Sequence, residues 1–195
     1  VEALKSVFDD CPQVSDKKID AIVMKEFGGA PVSKTFRSFE TRALASATIA
    51  QVHVARVDVN GKETKVAVKV QNPGSERLMR MDMKNMLAVS EFADNRGLRL
   101  PFDHTSILKE YRAQVPLEFD FHREASMLTV IGAAIKGRVP DVTTPRAFPN
   151  LSARRVLTMS FVEGEPLGDI IQRALRATAG GPPGSPISSS PGFHE

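Results

Sequence analysis

The chain is 195 residues long, 42% hydrophobic and 25% charged, with a formal net charge of +3. That length holds one domain or one lobe with tails, and the apolar share is enough for a buried core; near-cancelling charges without a run of five like residues speak against a nucleic-acid surface. The one cysteine, Cys11, excludes an internal disulfide and fits a reducing compartment or organelle interior, the four histidines lack metal-ligand spacing, and no apolar run approaches the roughly 18 residues of a membrane span.

The opening Val1-Glu2-Ala3-Leu4 has no methionine, basic leader or apolar signal core, so the expectation is a segment that begins inside a larger protein. Residues 1–10 are compatible with a helix that Cys11-Pro12 would end. Ser15-Asp16 predicts a helix start, and Ile19, Ile22, Val23 and Phe27 share its buried face before Gly28-Gly29. Phe36 and Phe39 are expected to pack just ahead of the first strand.

Residues 44–70 form the centre of the argument. Ala45-Ser46-Ala47-Thr48-Ile49-Ala50 is a small-residue turn, and Gln51-Val52-His53 opens a β-rich run with Val54 and Val57. Asn60-Gly61 is a strong hairpin signal, because both positions tolerate positive φ. In the return strand Val66, Val68 and Val70 share one face, while Ala67 and Lys69 share the other. Gln71-Asn72-Pro73-Gly74 reads as a loop.

Ser75 is expected to cap a helix running to about Arg96, with Met79, Met83, Met86, Leu87 and Ser90 along one side. That methionine stripe reads as core packing rather than a ligand site. A third helix should open at Thr105 or Ser106, with Pro116 kinking or dividing it and the chain staying helical to about Ile135. On it Asp120 and Glu124 share a face, and Glu118 lies on an adjacent one. Pro140 to Pro149 reads as a loop or short strand, Arg155 to Phe161 as a buried strand, and Gly164 as the start of a helix of about ten residues. From Gly180 to Gly192 every residue but Ile187 is Gly, Pro or Ser, which predicts a disordered tail.

A lysine leaving a strand interior is costly unless it meets an anion. A small-residue loop just upstream lets backbone N–H groups approach that anion, and phosphate suits both. A carboxylate on a following helix would hold the ammonium. Each feature alone has a plainer reading: a tight turn, a snorkelling edge lysine, a solvated helix face. In this order they make the nucleotide half of a kinase-like site.

Ala45 to His53 resembles the alanine-rich loop of the ABC1/UbiB (ADCK-type) atypical kinase-like family. Val66 to Gly74 resembles that family's lysine strand and following loop, Leu117 to Ala125 its Glu-x-Asp motif followed by Arg-Glu-Ala, and Val156 to Gly164 its hinge strand. The likeness spans about residues 20–175, in order. It implies an α+β fold: the N-lobe of a protein-kinase-like domain, a small antiparallel sheet of about five strands with packed helices. The domains would be a helical segment (1–40), the N-lobe with hinge and the start of the next helix (41–176), and the tail (177–195).

The resemblance implies that Lys69 contacts the α/β phosphates of ATP, paired with Glu124. It further implies that Ala45, Ser46, Ala47, Thr48, Ile49, Ala50 and Gln51 cover the phosphates, and that backbone near Met159, Phe161 and Val162 holds adenine. Glu118 belongs to a motif that faces an N-terminal extension whose Lys-x-Gly-Gln is not in this sequence. Ser46 and Ala50 stand where alanine and glycine are usual, and Ala50 lacks glycine's φ freedom. Neither the catalytic loop nor an Asp-Phe-Gly follows the hinge here, so no catalytic residue is assigned. The expectation is a grip that lacks the C-lobe and the Mg²⁺ aspartate, inactive alone. The family implies mitochondria or plastids, coenzyme Q or related prenyl-lipid metabolism, and a membrane-associated or lipid partner. The competing readings are a noncatalytic pseudokinase-like binding module and an unrelated fold with a coincidental pattern.

Overall fold

A long hairpin carries the fold. In the computed structural model, which describes residues 13–98 and 102–178, β3 (Ala50–Val59) and β4 (Lys62–Gln71) pair antiparallel over their whole lengths. Their turn is Asn60-Gly61, at φ 54° and 80°. Both angles lie in the left-handed region that a type I′ connection needs. Asp58 Oδ1 accepts from the Gly61 N–H at 2.7 Å and closes it.

Two short strands, β1 (Ser38–Phe39) and β2 (Ala45–Ser46), pair with β3 on its other edge, and β5 (Val156–Ser160) pairs with β4. The sheet is antiparallel and five-stranded, ordered β1-β3-β4-β5 with β2 also on β3. Six helices are described: α1 (Asp16–Glu26), α2 (Val32–Thr35), α3 (Ser75–Asn95), α4 (His104–Glu118), α5 (Phe121–Ile135) and α6 (Leu167–Thr178). The fold is α+β, as expected. The chain divides after Val162, and α6 lies in the second unit, where Arg173 pairs with Glu165 at 2.7 Å. No described helix is long and apolar enough to cross a membrane.

The period of two sorts the sheet's side chains. On one face Ala55, Val57, Val66, Val68, Val70 and Val156 pack against Ile19, Ile22 and Val23 of α1 and against Phe36. Phe27, Phe36 and Phe39 line up ring to ring beside them. On the other face Ala50 and Leu157 pack against Phe121 and Ala125 of α5, with Ala147. A third cluster, Met83, Val115 and Phe119, joins α3 to α4, with Ile49 and Met79 at its edge. Each fully buried large apolar side chain contributes about 1.5–3 kcal/mol through loss of water contact.

Several expectations are corrected. Pro116 does not divide the third helix; it lies inside α4, and the break falls at Phe119-Asp120. The reason is capping: Asp120 takes an extended conformation and accepts from the N–H groups of His122 and Arg123 at 3.1 and 3.4 Å, starting α5 afresh. Asp120 therefore precedes the helix that carries Glu124. Met86 leaves the methionine stripe; at 49% exposure it sits a residue out of step with buried Met83, Leu87 and Ser90.

Gly74, at φ 80°, is the N-cap of α3, and Ser75 is its first residue. The α4 start is His104, capped by Asp103, which accepts from the Ser106 N–H at 2.9 Å. Phe39 lies within β1 rather than before the sheet, and Ala45-Ser46 is itself a strand. The expected helix over 1–10 and the tail from Gly180 lie outside the described residues.

Candidate functional site

One row of residues crosses four strands: Ala45 opposite Val52, Val52 opposite Lys69, Lys69 opposite Leu157. At the usual strand spacing Ala45 and Lys69 are two strands, or about 9–10 Å, apart. Lys69 leaves the sheet away from the valine core. Its Nζ lies 2.8 Å from both carboxylate oxygens of Glu124 and 4.7 Å from the centre of the Phe121 ring. Glu124 sits in the first turn of α5, where the helix's exposed N–H groups favour an anion. Leu157 and Phe121 fill the floor, so the charged pair stands on apolar packing. Lys69 is 24% and Glu124 38% exposed, so the pair is braced by the fold but open to solvent.

The alanine turn is built from its carbonyl side. β2 and the start of β3 pair, and the Ala47 N–H reaches the Ala50 carbonyl at 2.9 Å. Asn72 Nδ2 donates to the carbonyls of Ala47 and Thr48, at 2.8 and 3.1 Å. The Asn72 backbone N–H donates to the Ile49 carbonyl at 2.8 Å, and Ser75 Oγ reaches that oxygen at 3.4 Å. Three consecutive carbonyls thus turn towards the loop after β4. Among described non-glycine residues only Asn60 has a positive φ, so Ala50 sits in a backbone region alanine adopts freely. Ser46 Oγ and Asn72 Oδ1 are buried without a hydrogen-bond partner among the described residues.

A neighbouring residue ties the turn's anchor to the helix side. Gln71 Nε2 donates to the Phe119 carbonyl at 2.7 Å and to the Arg154 carbonyl at 3.3 Å. The Phe121 N–H also donates to the Arg154 carbonyl, at 3.0 Å. The Arg154 guanidinium bonds Glu76 in the first turn of α3, where Arg80 joins it. Burial alone would raise the Glu76 pKa; the hydrogen bonds from Arg80 and Arg154 outweigh it and hold the carboxyl below its usual range.

The other expected site residues are dispersed around this centre. The Gln51 side chain is on the valine face: its Oε1 accepts from the Val14 N–H at 2.9 Å and its Nε2 meets His53 Nε2 at 2.8 Å. His53, fully buried, contacts the Glu40 carbonyl through Nδ1 and stacks on Phe39. Only the Gln51 backbone belongs to the turn. Glu118 ends α4, beyond the Asp120 break, and lines a cavity of about 220 Å³ with Ile49, Met79, Tyr111 and Phe119. Met159 shares the Lys69 face opposite Ala67. The Phe161 N–H reaches the Lys65 carbonyl at 3.4 Å, its ring lies under the Lys65 ammonium at 3.8 Å, and Val162 is exposed. No cluster of three His, Cys, Asp or Glu side chains suited to a metal occurs among the described residues.

The model of the ABC1 atypical kinase-like domain matches residues 6–178. The chain belongs to that family. Its five-stranded antiparallel sheet with packed helices is the N-lobe fold of a kinase-like domain. Similar proteins include an uncharacterized chloroplastic aarF domain-containing protein kinase of Arabidopsis thaliana, 31% identical over 97% of this chain and 35% of its own length. A Marinobacter nauticus protein named "probable protein kinase UbiB" is 30% identical over 87% of the chain and 30% of its own length. AarF domain-containing protein kinase 1 of Gallus gallus is 29% identical over 85% of the chain and 31% of its own length. The ABC1 chain thus spans about a third of the length of these relatives.

Proposed function

We propose that this ABC1 segment grips the phosphates of ATP for an atypical kinase or ATPase. The observation that carries the reading is the Lys69–Glu124 pair, open to solvent, on the sheet face whose rim is the alanine turn. The donor set fits a polyphosphate. Lys69 has three N–H donors, of which Glu124 takes two, leaving one for a phosphate oxygen. Trans peptide planarity sets N–H opposite C=O, so the turn held by its carbonyls offers the N–H groups of Thr48, Ile49 and Ala50 on its other side.

Bound ATP would supply the transferable phosphoryl group, and Mg²⁺ would offset part of its charge. Lys69 would draw charge from the α/β phosphates, and Glu124 would fix the ammonium's position. The turn from Ala45 to Gln51 would exclude water above them. Backbone near Met159, Phe161 and Val162 would lie along the adenine. Transfer also calls for a metal-holding carboxylate and a positioned acceptor. The part of that machinery assigned to these residues is phosphate binding, by Lys69, Glu124 and the turn. The chloroplastic and UbiB relatives support a plastid or mitochondrial setting, with prenyl-lipid metabolism and a lipid or membrane-associated partner as part of the same proposal.

Thermal-shift titration of the full-length protein with Mg·ATP tests the grip. Lys69→Ala is expected to weaken binding by about 10- to 100-fold, the scale of a charge-assisted hydrogen bond of about 1.5–3 kcal/mol. Glu124→Gln keeps the shape but loses the counter-charge, and a smaller loss is expected. Equal shifts in wild type and Lys69→Ala would remove the lysine's role.

A further inference from the structure

We infer that Asn72 is the positioning residue of the phosphate-covering turn, so that it sets affinity for the phosphate portion of the ligand and not for its nucleoside. The inference rests on the nucleotide reading above and assigns a separable effect to the residue that holds the turn.

Asn72 lies three residues after Lys69, where β4 has just ended. It bonds three successive peptide units of the turn at once, through Nδ2 to Ala47 and Thr48 and through its own N–H to Ile49. The amide orientation is fixed by its neighbours: exchanging Oδ1 and Nδ2 would set an oxygen against two carbonyls. Holding those carbonyls decides where the N–H groups of Thr48, Ile49 and Ala50 point, since each peptide is planar and trans.

A glycine-rich loop closes over phosphate through backbone freedom. This turn has no glycine between Ala45 and Gln51. Its aim comes from an external anchor instead. That anchor shares a short stretch of chain with Lys69, so a shift in the strand end moves ammonium and turn together. Gln71, the residue before Asn72, bonds the Phe119 carbonyl just before the Asp120 cap of α5. The lysine, the turn and the helix of Glu124 are thus referred to one segment, residues 69–72.

Ser75 adds a weaker hold on Ile49 and is itself bonded to the Asn72 carbonyl at 2.7 Å. Loss of the Asn72 side chain leaves the Ile49 bonds in place while freeing Ala47 and Thr48. The turn should persist but lose its aim.

The test compares ADP with adenosine, by calorimetry on the full-length protein. In Asn72→Ala, ADP affinity is expected to fall about tenfold, the scale of two neutral hydrogen bonds, while adenosine affinity stays within about twofold. Asn72→Ser, which keeps one donor, should fall between and serves if the alanine variant does not fold. A general structural role would instead lower both ligands together or move only the melting temperature, and either result overturns the inference. Unchanged ADP affinity in a folded variant overturns it too, leaving the nucleotide reading standing. A wild-type protein that binds ADP no better than adenosine would end both, and Lys69→Ala would then also be silent.

Discussion

The two faces of the sheet use the same strands for opposite ends. Along β4, Val66, Val68 and Val70 point into a fully buried layer closed by α1, and Ala67, Lys69 and Gln71 point the other way. The valine face is sealed; even its polar members, Gln51 and His53, spend their hydrogen bonds on Val14, on each other and on Glu40. The lysine face sets a charged pair, left within reach of solvent, on a floor of Leu157 and Phe121. The sealed core and the face proposed to bind nucleotide are thus separated by a single residue step.

Substitutions on the two faces should separate in the same way. Phe36→Ala, on the sealed side at 1% exposure, is expected to cost about 3–5 kcal/mol of stability, read by denaturant unfolding, with nucleotide affinity of the folded fraction unchanged. Phe121→Ala removes a ring of equal burial from the other side. Its stability loss should be similar, but affinity should fall as well, because that ring floors Lys69. Matching affinity losses in the two variants would erase the distinction between the faces.

A smaller effect is expected at the helix break. Asp120→Ala removes the cap of α5, and about 1 kcal/mol should go with it. Since α5 carries Glu124, a modest loss of nucleotide affinity should accompany it; a pure stability change would mean that the ion pair tolerates a frayed helix start.

The smallest effect is a pH dependence confined to the sealed face. Burial lowers the His53 pKa, against the raising pull of the Glu40 carbonyl bond and of Asp16 and Asp20. The unfolded chain therefore binds the proton more readily, and this contribution to stability is lost as pH falls below the ordinary histidine value of 6.5. Melting curves from pH 7 downward should show the decline in wild type and a flatter profile in His53→Gln. A steeper decline in the variant would assign the effect to other groups.

Much of this layout is legible in the sequence. Alternation sends Lys69 away from three valines, Asn60-Gly61 fixes the hairpin register, and motif order sets a carboxylate helix after the lysine strand. The same alternation, carried back through β3, sets Gln51 with His53 on the valine side, a reading that the family likeness obscured. The helix break was hidden because proline is the louder signal, while Asp120 acts through a local cap. Asn72 was illegible for a different reason. Its role depends on a loop 24 residues earlier folding back against it, and no periodicity reports such a meeting.

The left-handed turn at Asn60-Gly61 has a practical use. Lys62 and Lys69 are seven residues apart on one extended strand, a span of about 23 Å at 3.3 Å per residue. A fluorophore or short epitope grafted at that tip would sit at the far end of the ribbon from the ammonium, giving a reporter of the molecule that leaves the proposed nucleotide face untouched.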